Sequence, residues 1–383
     1  MAWITLRQFA WTERSGRLDP YPEVDDIRRV AVDRWLPVDL SYAVSVNALA
    51  VPPKGVVRYE TRHHELRLML CYLTSDPGGP VSLRDETFRA SSAHIRRFVS
   101  ESLGLGMLTA AVQAAYQWHA GPGTVTHFGA LPTMLASPYS ATKSRPDLLF
   151  DMPGLTLAGE ARGRSEPSPI RASAQQRDRL NSLLPWSQHH GTHPLAMTWA
   201  YVTGSGTTVD LFTRSGRLPG MAGPVGQPLP SPVPIQPDLF EQDQLTGPEW
   251  QADLDTGAPP RAVRARDFDR RSPRELTVTV TRRVNDIADQ LYDTAPEPDP
   301  SIRVGDQAVR GRWAGLDLLG APAGSFLLGV LQHPLSPEVS LEVTARLRQR
   351  AKTLSALVSG RLVIAITGEA GQPWELVTDN RPH

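Results

Sequence analysis

A helical spacing of apolar residues is the clearest pattern in the chain and runs from about residue 92 to 119. Apolar side chains recur there at intervals of three and four residues, which places them on one face of a helix. Gly104 and Gly106 interrupt the pattern, and glycine weakens a helix interior. We therefore predict one helix, or two helices broken near these glycines. The apolar positions are Ile95, Phe98, Val99, Leu103, Leu108, Val112 and Tyr116.

Beyond this helix the apolar pattern shortens to runs that are typical of strands. A second helical stretch follows them, and Pro185 is expected to kink or end it because proline lacks a backbone N–H. The order helix, three strands, helix, two strands predicts a compact α/β unit. The predicted elements are strands at 124–128, 146–150 and 155–162, a helix at 172–190, and strands at 196–202 and 208–213.

The residues 151–154 separate the second and third strands and have the composition of a turn, which predicts a hairpin. With these four residues as the loop, Asp147 lies opposite Ala158. Glu160 is then a diagonal neighbour of Asp147 on the same face, at roughly 7–8 Å between backbones. The opposite face carries residues that suit a packed core, namely Leu155, Leu157 and Ala161.

Proline and glycine mark the other boundaries in the chain. A stretch dense in both residues, with no apolar periodicity, predicts a linker at 216–261. It separates the α/β unit at 91–215 from a predicted C-terminal α/β domain at 262–383. The pattern at 1–90 fits strand and helix alike and assigns no fold. The C-terminal elements are predicted as strands at 275–280, 325–331 and 361–367 and helices at 285–292 and 338–358.

Composition and charge narrow the class of protein. A length of 383 residues suits two or three domains, and 40 basic and 40 acidic residues cancel, so the whole chain has no field that recruits DNA or a membrane. The single cysteine, Cys71, excludes an internal disulfide and a multi-cysteine zinc site. No apolar run approaches the roughly 20 residues of a membrane span, and residues 1–14 have no clean apolar block, so we expect no secretory signal there. We expect a soluble, cytoplasmic protein without membrane attachment, and only three lysines among the basic residues indicate a GC-rich bacterial genome.

One segment carries candidate chemistry. Pro146 and Asp147 open one strand of the predicted hairpin, and Glu160, Ala161 and Arg162 lie on the next. This arrangement resembles the metal-binding core of the PD-(D/E)XK nuclease-like superfamily, in which an Asp after a Pro is followed on the next strand by an acid, one residue and a Lys. The resemblance implies a restriction-endonuclease-like fold, with a central mixed sheet flanked by helices, and here a second C-terminal α/β domain would follow it.

The resemblance also implies a bound Mg²⁺ or Mn²⁺ held by Asp147 and Glu160. Mg²⁺ takes oxygen ligands, and an ion between two carboxylates can polarise a scissile phosphate and generate hydroxide. Glu101 lies on the preceding helix, where related nucleases supply a third acid. Gln175 and Gln176 begin the following helix, where some relatives use a glutamine to orient the metal site.

Arg162 stands where the family has lysine. A lysine can help to deprotonate water because its pKa can shift, whereas arginine stays protonated but can clamp a phosphate. The expected hairpin register puts Lys143 opposite Arg162, so Lys143 could supply the missing ammonium group. Arg164 and Arg171 extend Arg162 into a basic rim suited to a phosphodiester backbone.

Two functions from different classes remain open. The first is a metal-dependent nuclease acting on DNA or RNA, in a restriction, repair or phage-defence system. The second is a non-catalytic nuclease-fold scaffold or binding subunit, with a protein partner or a second copy. The alternative to both functions is a plain surface hairpin without a site, in which Glu160 and Arg162 pair with each other or with their neighbours. Two groups of histidines are further candidates for a metal site, but neither matches an established spacing of metal ligands. They are His63 with His64 and Glu65, and His189 and His190 with His193.

Overall fold

The fold is seen in a computed structural model. The structure describes residues 2–14, 22–49, 55–74, 78–118, 124–130, 144–190, 193–215, 273–297, 303–304, 306–317, 324–350 and 354–368. The predicted linker at 216–261 and the candidate residue Lys143 lie outside these segments.

The largest element is an eight-stranded mixed sheet. Its strands are β1 (Ala2–Arg14), β2 (Glu23–Arg29), β3 (Arg34–Val38), β6 (Val125–His127), β7 (Leu148–Met152), β8 (Leu155–Arg164), β9 (Leu195–Thr203) and β10 (Gly206–Arg214), and a separate short pair is formed by β4 (Leu73–Thr74) and β5 (Ser82–Leu83). The strand order is β2-β1-β10-β9-β8-β7-β6, and β3 also pairs with β1. The pairs β1–β10 and β8–β9 are parallel, whereas the other pairs are antiparallel. The N-terminal residues therefore complete the sheet of the central α/β unit.

Helices cover both faces of this sheet. The helices are α1 (Leu40–Leu49), α2 (Tyr59–Cys71), α3 (Asp85–Arg89), α4 (Ala93–Tyr116), α5 (Ala174–His189), α6 (Pro273–Thr294) and α7 (Pro337–Arg350). One face packs on α4, and α1 and α2 lie behind it. The other face packs on α5, whose buried Leu180, Leu183 and Leu184 join the aromatic side chains of β9 and β10. The class is therefore α/β, with a large mixed sheet flanked by helices.

The central order of helix, three strands, helix and two strands is confirmed. Helix α5 does not end at Pro185, however, but continues to His189. A proline costs one helical hydrogen bond and strains the preceding turn. Its neighbours Leu184 and Trp186 are nearly fully buried, and this packing holds the helix across the proline.

Helix α4 is one continuous helix, so the alternative of a break near its glycines is wrong. The glycines serve close packing instead. A β-carbon on Gly104 would lie 2.9 Å from the backbone nitrogen of Gly163 on β8, and one on Gly106 would lie 2.6 Å from the carbonyl oxygen of Ala43 on α1. Within the described segments α4 is also the one helix long and apolar enough to cross a membrane, but 61% of that stretch is buried inside the fold.

The C-terminal part forms a separate antiparallel sheet in the order β11-β12-β13-β15-β14. Its strands are β11 (Arg303–Val304), β12 (Gln307–Gly315), β13 (Ser325–Leu331), β14 (Leu354–Ser359) and β15 (Leu362–Thr367). One face packs on α7, while Phe326, Leu328 and Val330 from the other face enter the same hydrophobic core as α1, α2 and α4. The two sheets therefore enclose a shared layer of helices.

Two C-terminal predictions are wrong. The predicted strand at 275–280 is part of α6. In the sequence, apolar residues recur at helical spacing from residue 276 to residue 291, and the local Thr–Val alternation hides this pattern. The predicted helix at 338–358 ends earlier, and its last residues form β14.

Candidate functional site

The β7–β8 hairpin brings Asp147 and Glu160 together in a register that differs from the expected one. Leu148 pairs with Gly159 and Met152 with Leu155, so the predicted pairing of Asp147 with Ala158 is wrong. The loop has two residues rather than four, because Asp151 and Met152 stay in the ladder. Gly154 closes it with φ +74°, a conformation that favours glycine.

Asp147 lies just before β7 and ties its backbone to both neighbouring strands. Its N–H donates to the carbonyl oxygen of Gly159 at 2.9 Å, and its own carbonyl accepts from the N–H of Phe128 at 2.9 Å. Its side-chain Oδ2 accepts from the N–H of Ala161 at 2.9 Å. The Asp147 carboxylate is thereby held beside the backbone of the residue that follows Glu160.

Glu160 points to the α5 face of the sheet, as its neighbour Ala158 does, whereas Ala161 faces α4. The Glu160 side chain has no solvent exposure. Its Oε1 accepts from Nε and Nη2 of Arg179 at 2.8 and 2.7 Å, and Nη2 of Arg162 lies 2.9 Å from the same oxygen. Its Oε2 is also buried but has no hydrogen-bond partner among the described residues.

Burial and the Asp147 charge act together on Glu160. Burial is the larger cause, and both raise the pKa of Glu160 to about 8, while Arg162 and Arg179 act in the opposite direction. The influence of Asp147 shows that the two acids share one electrostatic environment. Asp147 and Glu160 therefore act on each other electrostatically, although each carboxylate already has protein donors.

Three arginines surround these two acids. Arg162 and Arg179 contact Glu160, and the charge of Arg145 interacts with Asp147. With both acids ionised, the five groups carry one net positive charge. Sequence reasoning identified Arg162 but missed Arg145 and Arg179. A signal for Arg179 existed, since it lies three residues after the buried Gln176 and four before the buried Leu183, on the face of α5 that meets the sheet.

His127 on β6 is a further residue that sequence reasoning missed. Burial lowers the pKa of His127, and Asp147 opposes that shift, which places the imidazole within electrostatic reach of the acid pair. The N–H of Gly129 donates to its Nδ1 at 2.9 Å. This ring nitrogen is therefore an acceptor in a local turn.

Gln176 is placed on the same face but in a separate buried group. Its Oε1 accepts from the N–H of Ser173 in a capping box, and its Nε2 donates to Tyr201 and to Asp210, at 3.0 Å each. Asp210 is held in turn by Nε and Nη2 of Arg7, at 2.6 and 2.8 Å. Gln176 therefore anchors α5 to the sheet and does not contact the Asp147–Glu160 pair.

The structure does not bring Glu101 to the acid pair. Glu101 lies on α4, on the far side of the sheet from Glu160, and it pairs with Arg97 at 2.8 Å with its side chain 48% exposed. Glu101 therefore does not supply the third acid that the resemblance implied. Arg164 and Arg171 both lie near the α5 side, with the Arg164 guanidinium 5.1 Å above the ring of Trp199 and Arg171 exposed just before α5.

These residues do not fit a preformed site for a divalent ion. No group of three histidine, cysteine or acidic side chains in the described segments could hold a metal. Oε1 of Glu160 is occupied by two guanidinium groups, and Oδ2 of Asp147 by a backbone N–H. At about 4 Å and an effective dielectric constant of about 20, each guanidinium would oppose an added ion by about 4 kcal/mol per unit of charge. Oε2 of Glu160, which has no hydrogen-bond partner among the described residues, is an atom at which a cation would be favoured.

The histidine groups that the sequence singled out also form no metal site in the described part of the chain. His63 is buried between the rings of Tyr59 and Phe326, and burial lowers the pKa of His63 to about 4. The rings of His190 and His193 are stacked 6.5 Å apart beside Trp186.

Comparisons of the chain with protein-family models, with curated proteins and with solved structures each give no match. Function must therefore be inferred from the residues of the site.

Proposed function

We propose that residues 93–214 form a nuclease-like module that binds the phosphodiester backbone of DNA or RNA without a metal ion and without cleaving it. The observation that carries this proposal is the state of Glu160, whose Oε1 is held by Arg162 and Arg179. These guanidinium groups supply the positive charge that a metal ion would supply in a nuclease.

The charge balance supports binding rather than cleavage. Arg145, Arg162 and Arg179 outnumber the two acids, so the cluster is positive whether or not Glu160 is ionised, and the exposed Arg171 adds another positive charge at the rim. Guanidinium groups recognise phosphate oxygens through paired N–H donors. No lysine is found in this cluster within the described segments, and arginine cannot act as the general base that would activate water.

Direct binding measurements test this proposal. The full chain is titrated with single-stranded and double-stranded DNA and RNA, in EDTA and in Mg²⁺, while fluorescence anisotropy and gel analysis record binding and cleavage. We expect binding that is the same in both buffers, intact nucleic acid, and an affinity that falls with salt. Arg171→Ala is expected to reduce the salt slope by about one. Arg97→Ala, on the opposite face of the sheet, is the matched control.

A metal-dependent phosphodiester hydrolase is the second candidate. It is favoured by the buried Oε2 of Glu160, which has no hydrogen-bond partner in the described part of the chain, and by the carboxylate of Asp147, which binds the N–H of the next residue, Ala161. Cleavage that requires Mg²⁺ or Mn²⁺ and is lost in both Asp147→Ala and Glu160→Ala would establish this candidate and refute the first. Absence of binding to any nucleic acid, with a protein partner or second copy bound instead, would point to a scaffold.

A further inference from the structure

We infer that Arg179 occupies the place of a divalent cation at Glu160, and that its guanidinium is the main group that keeps a latent metal site closed. The inference rests on the proposed metal-free function and names the residue responsible for it. Arg179 comes from α5, not from the hairpin that carries the nuclease-like motif.

Arg179 makes the larger share of the contact with Glu160. It places two nitrogens, Nε and Nη2, within 2.8 Å of Oε1, whereas Arg162 places one nitrogen at 2.9 Å. The Arg179 side chain is 23% exposed and the Arg162 side chain 31%. Arg179 thus covers Glu160 from the helix side and screens it from solvent.

The remaining groups would suit a cation if Arg179 were absent. Oε2 of Glu160 is buried and has no partner in the described segments, and a buried acceptor in this state calls for a positive or donating group. Asp147 contributes a second carboxylate, which accepts from the N–H of Ala161, the residue next to Glu160, at 2.9 Å. Loss of Arg179 would also remove one of the three positive charges and two of the three nitrogens that contact Oε1, leaving only Nη2 of Arg162 there.

Arg162 is not expected to have the same effect. It follows Glu160 by two residues on β8, lies on the same face of the strand, and contacts Oε1 through one nitrogen from a more exposed side chain. Substitution of Arg162 leaves both Arg179 contacts in place. The two arginines can therefore be separated by experiment.

The test uses Mn²⁺ alone, without nucleic acid, so that its outcome is independent of whether the protein binds DNA or RNA. Binding is followed by the loss of the free Mn²⁺ signal in electron paramagnetic resonance. We expect Arg179→Gln to bind Mn²⁺ at least tenfold more tightly than the wild type and Arg162→Gln. Glu160→Gln combined with Arg179→Gln should abolish this binding. Arg177→Gln is the matched control, since Arg177 on the same helix donates to the backbone of Val24 and Asp25 instead.

Two results would overturn the inference. One is a wild type that binds Mn²⁺ as tightly as Arg179→Gln with Glu160 as a ligand, and the other is a folded Arg179→Gln that binds no Mn²⁺. If Arg179→Gln does not fold, Arg179→Met, which keeps the apolar stem of the side chain, is measured with the same two outcomes. Failure here leaves the test of metal-free nucleic-acid binding by the wild type unaffected.

Discussion

Gly163 on β8 lies against the backbone of Ser100 on α4, and a β-carbon built on Gly163 would be 1.6 Å from the Ser100 carbonyl oxygen. Gly163 directly follows Arg162. The strand that carries the candidate site is therefore in close backbone contact with helix α4 at this point. A side chain of any size at this position would have to push α4 and β8 apart. The position of the motif strand therefore depends on this glycine.

The first prediction concerns this contact. Gly163→Ala should lower the free energy of unfolding by about 3 kcal/mol or more, because neither backbone can move without displacing a core element. Gly368→Ala is the control, since no atom lies within 4 Å of its added methyl group, and it should change stability little. Urea denaturation of both variants measures the difference, and equal stabilities would contradict the packing described here.

The second prediction concerns the acid pair and pH. The pKa of Glu160 is raised from 4.5 to about 8 in the folded protein, so the folded state binds more protons than the unfolded state between these values. The contribution of Glu160 to stability is therefore lost as pH rises through this window. Glu160→Gln stays neutral throughout, so its unfolding free energy relative to the wild type should increase by more than about 1 kcal/mol from pH 5 to pH 8. A difference independent of pH would show that Glu160 is ionised throughout this range.

The third prediction distinguishes a nuclease that has lost its catalytic lysine from a module that only binds nucleic acid. Arg162→Lys restores the family residue but leaves Arg179 on Glu160, so we expect no cleavage of DNA or RNA in Mg²⁺ or Mn²⁺. Lysine keeps the positive charge, and the salt dependence of binding should therefore stay the same. Cleavage that appears in this variant alone would mark the protein as a nuclease that lost only its lysine.

The fourth prediction concerns the neighbouring buried ion pair. Asp210→Asn removes the charge that holds Arg7, whose side chain is 8% exposed, and leaves a buried cation without its counterion. The expected loss of stability is about 3–5 kcal/mol. Asp178→Asn, at an exposed position of α5, is the control and should have little effect. Thermal or urea unfolding measures both, and a loss below about 1 kcal/mol would show that other groups compensate Arg7.

The sequence was informative where a pattern was local. The apolar spacing of α4 and the turn at Pro153 and Gly154 predict the helix and the hairpin, and both are present. The turn length was not predictable from composition, because Asp151 and Met152 suit a loop as well as a strand. The loop is two residues shorter than predicted, so the pairing of the two strands is shifted by two residues. An even shift preserves the alternation of side chains along a strand, and the predicted placement of Asp147 and Glu160 on one face does not depend on this error.

Long-range relationships were beyond the reach of local patterns. Arg179 is 19 residues from Glu160 and Arg7 is 203 residues from Asp210, and no periodicity connects either pair. The place of β1 in the sheet, between β10 and β2, was missed for the same reason, because its partner β10 lies near the end of the α/β unit. The Thr–Val alternation at 275–280 led to a wrong prediction for the opposite reason, since a local preference for strand was overridden by the longer helix to which these residues belong.

The pairing of β1 with β10 has a consequence for biosynthesis. Leu6 pairs with Val209, so one edge of the first strand has no partner until about 200 more residues have been made. At a translation rate of about 5–20 residues per second, that edge remains available for roughly 10 to 40 seconds. Its apolar residues are then open to other nascent chains, and a ribosome-associated chaperone that shields them should raise the yield of native protein.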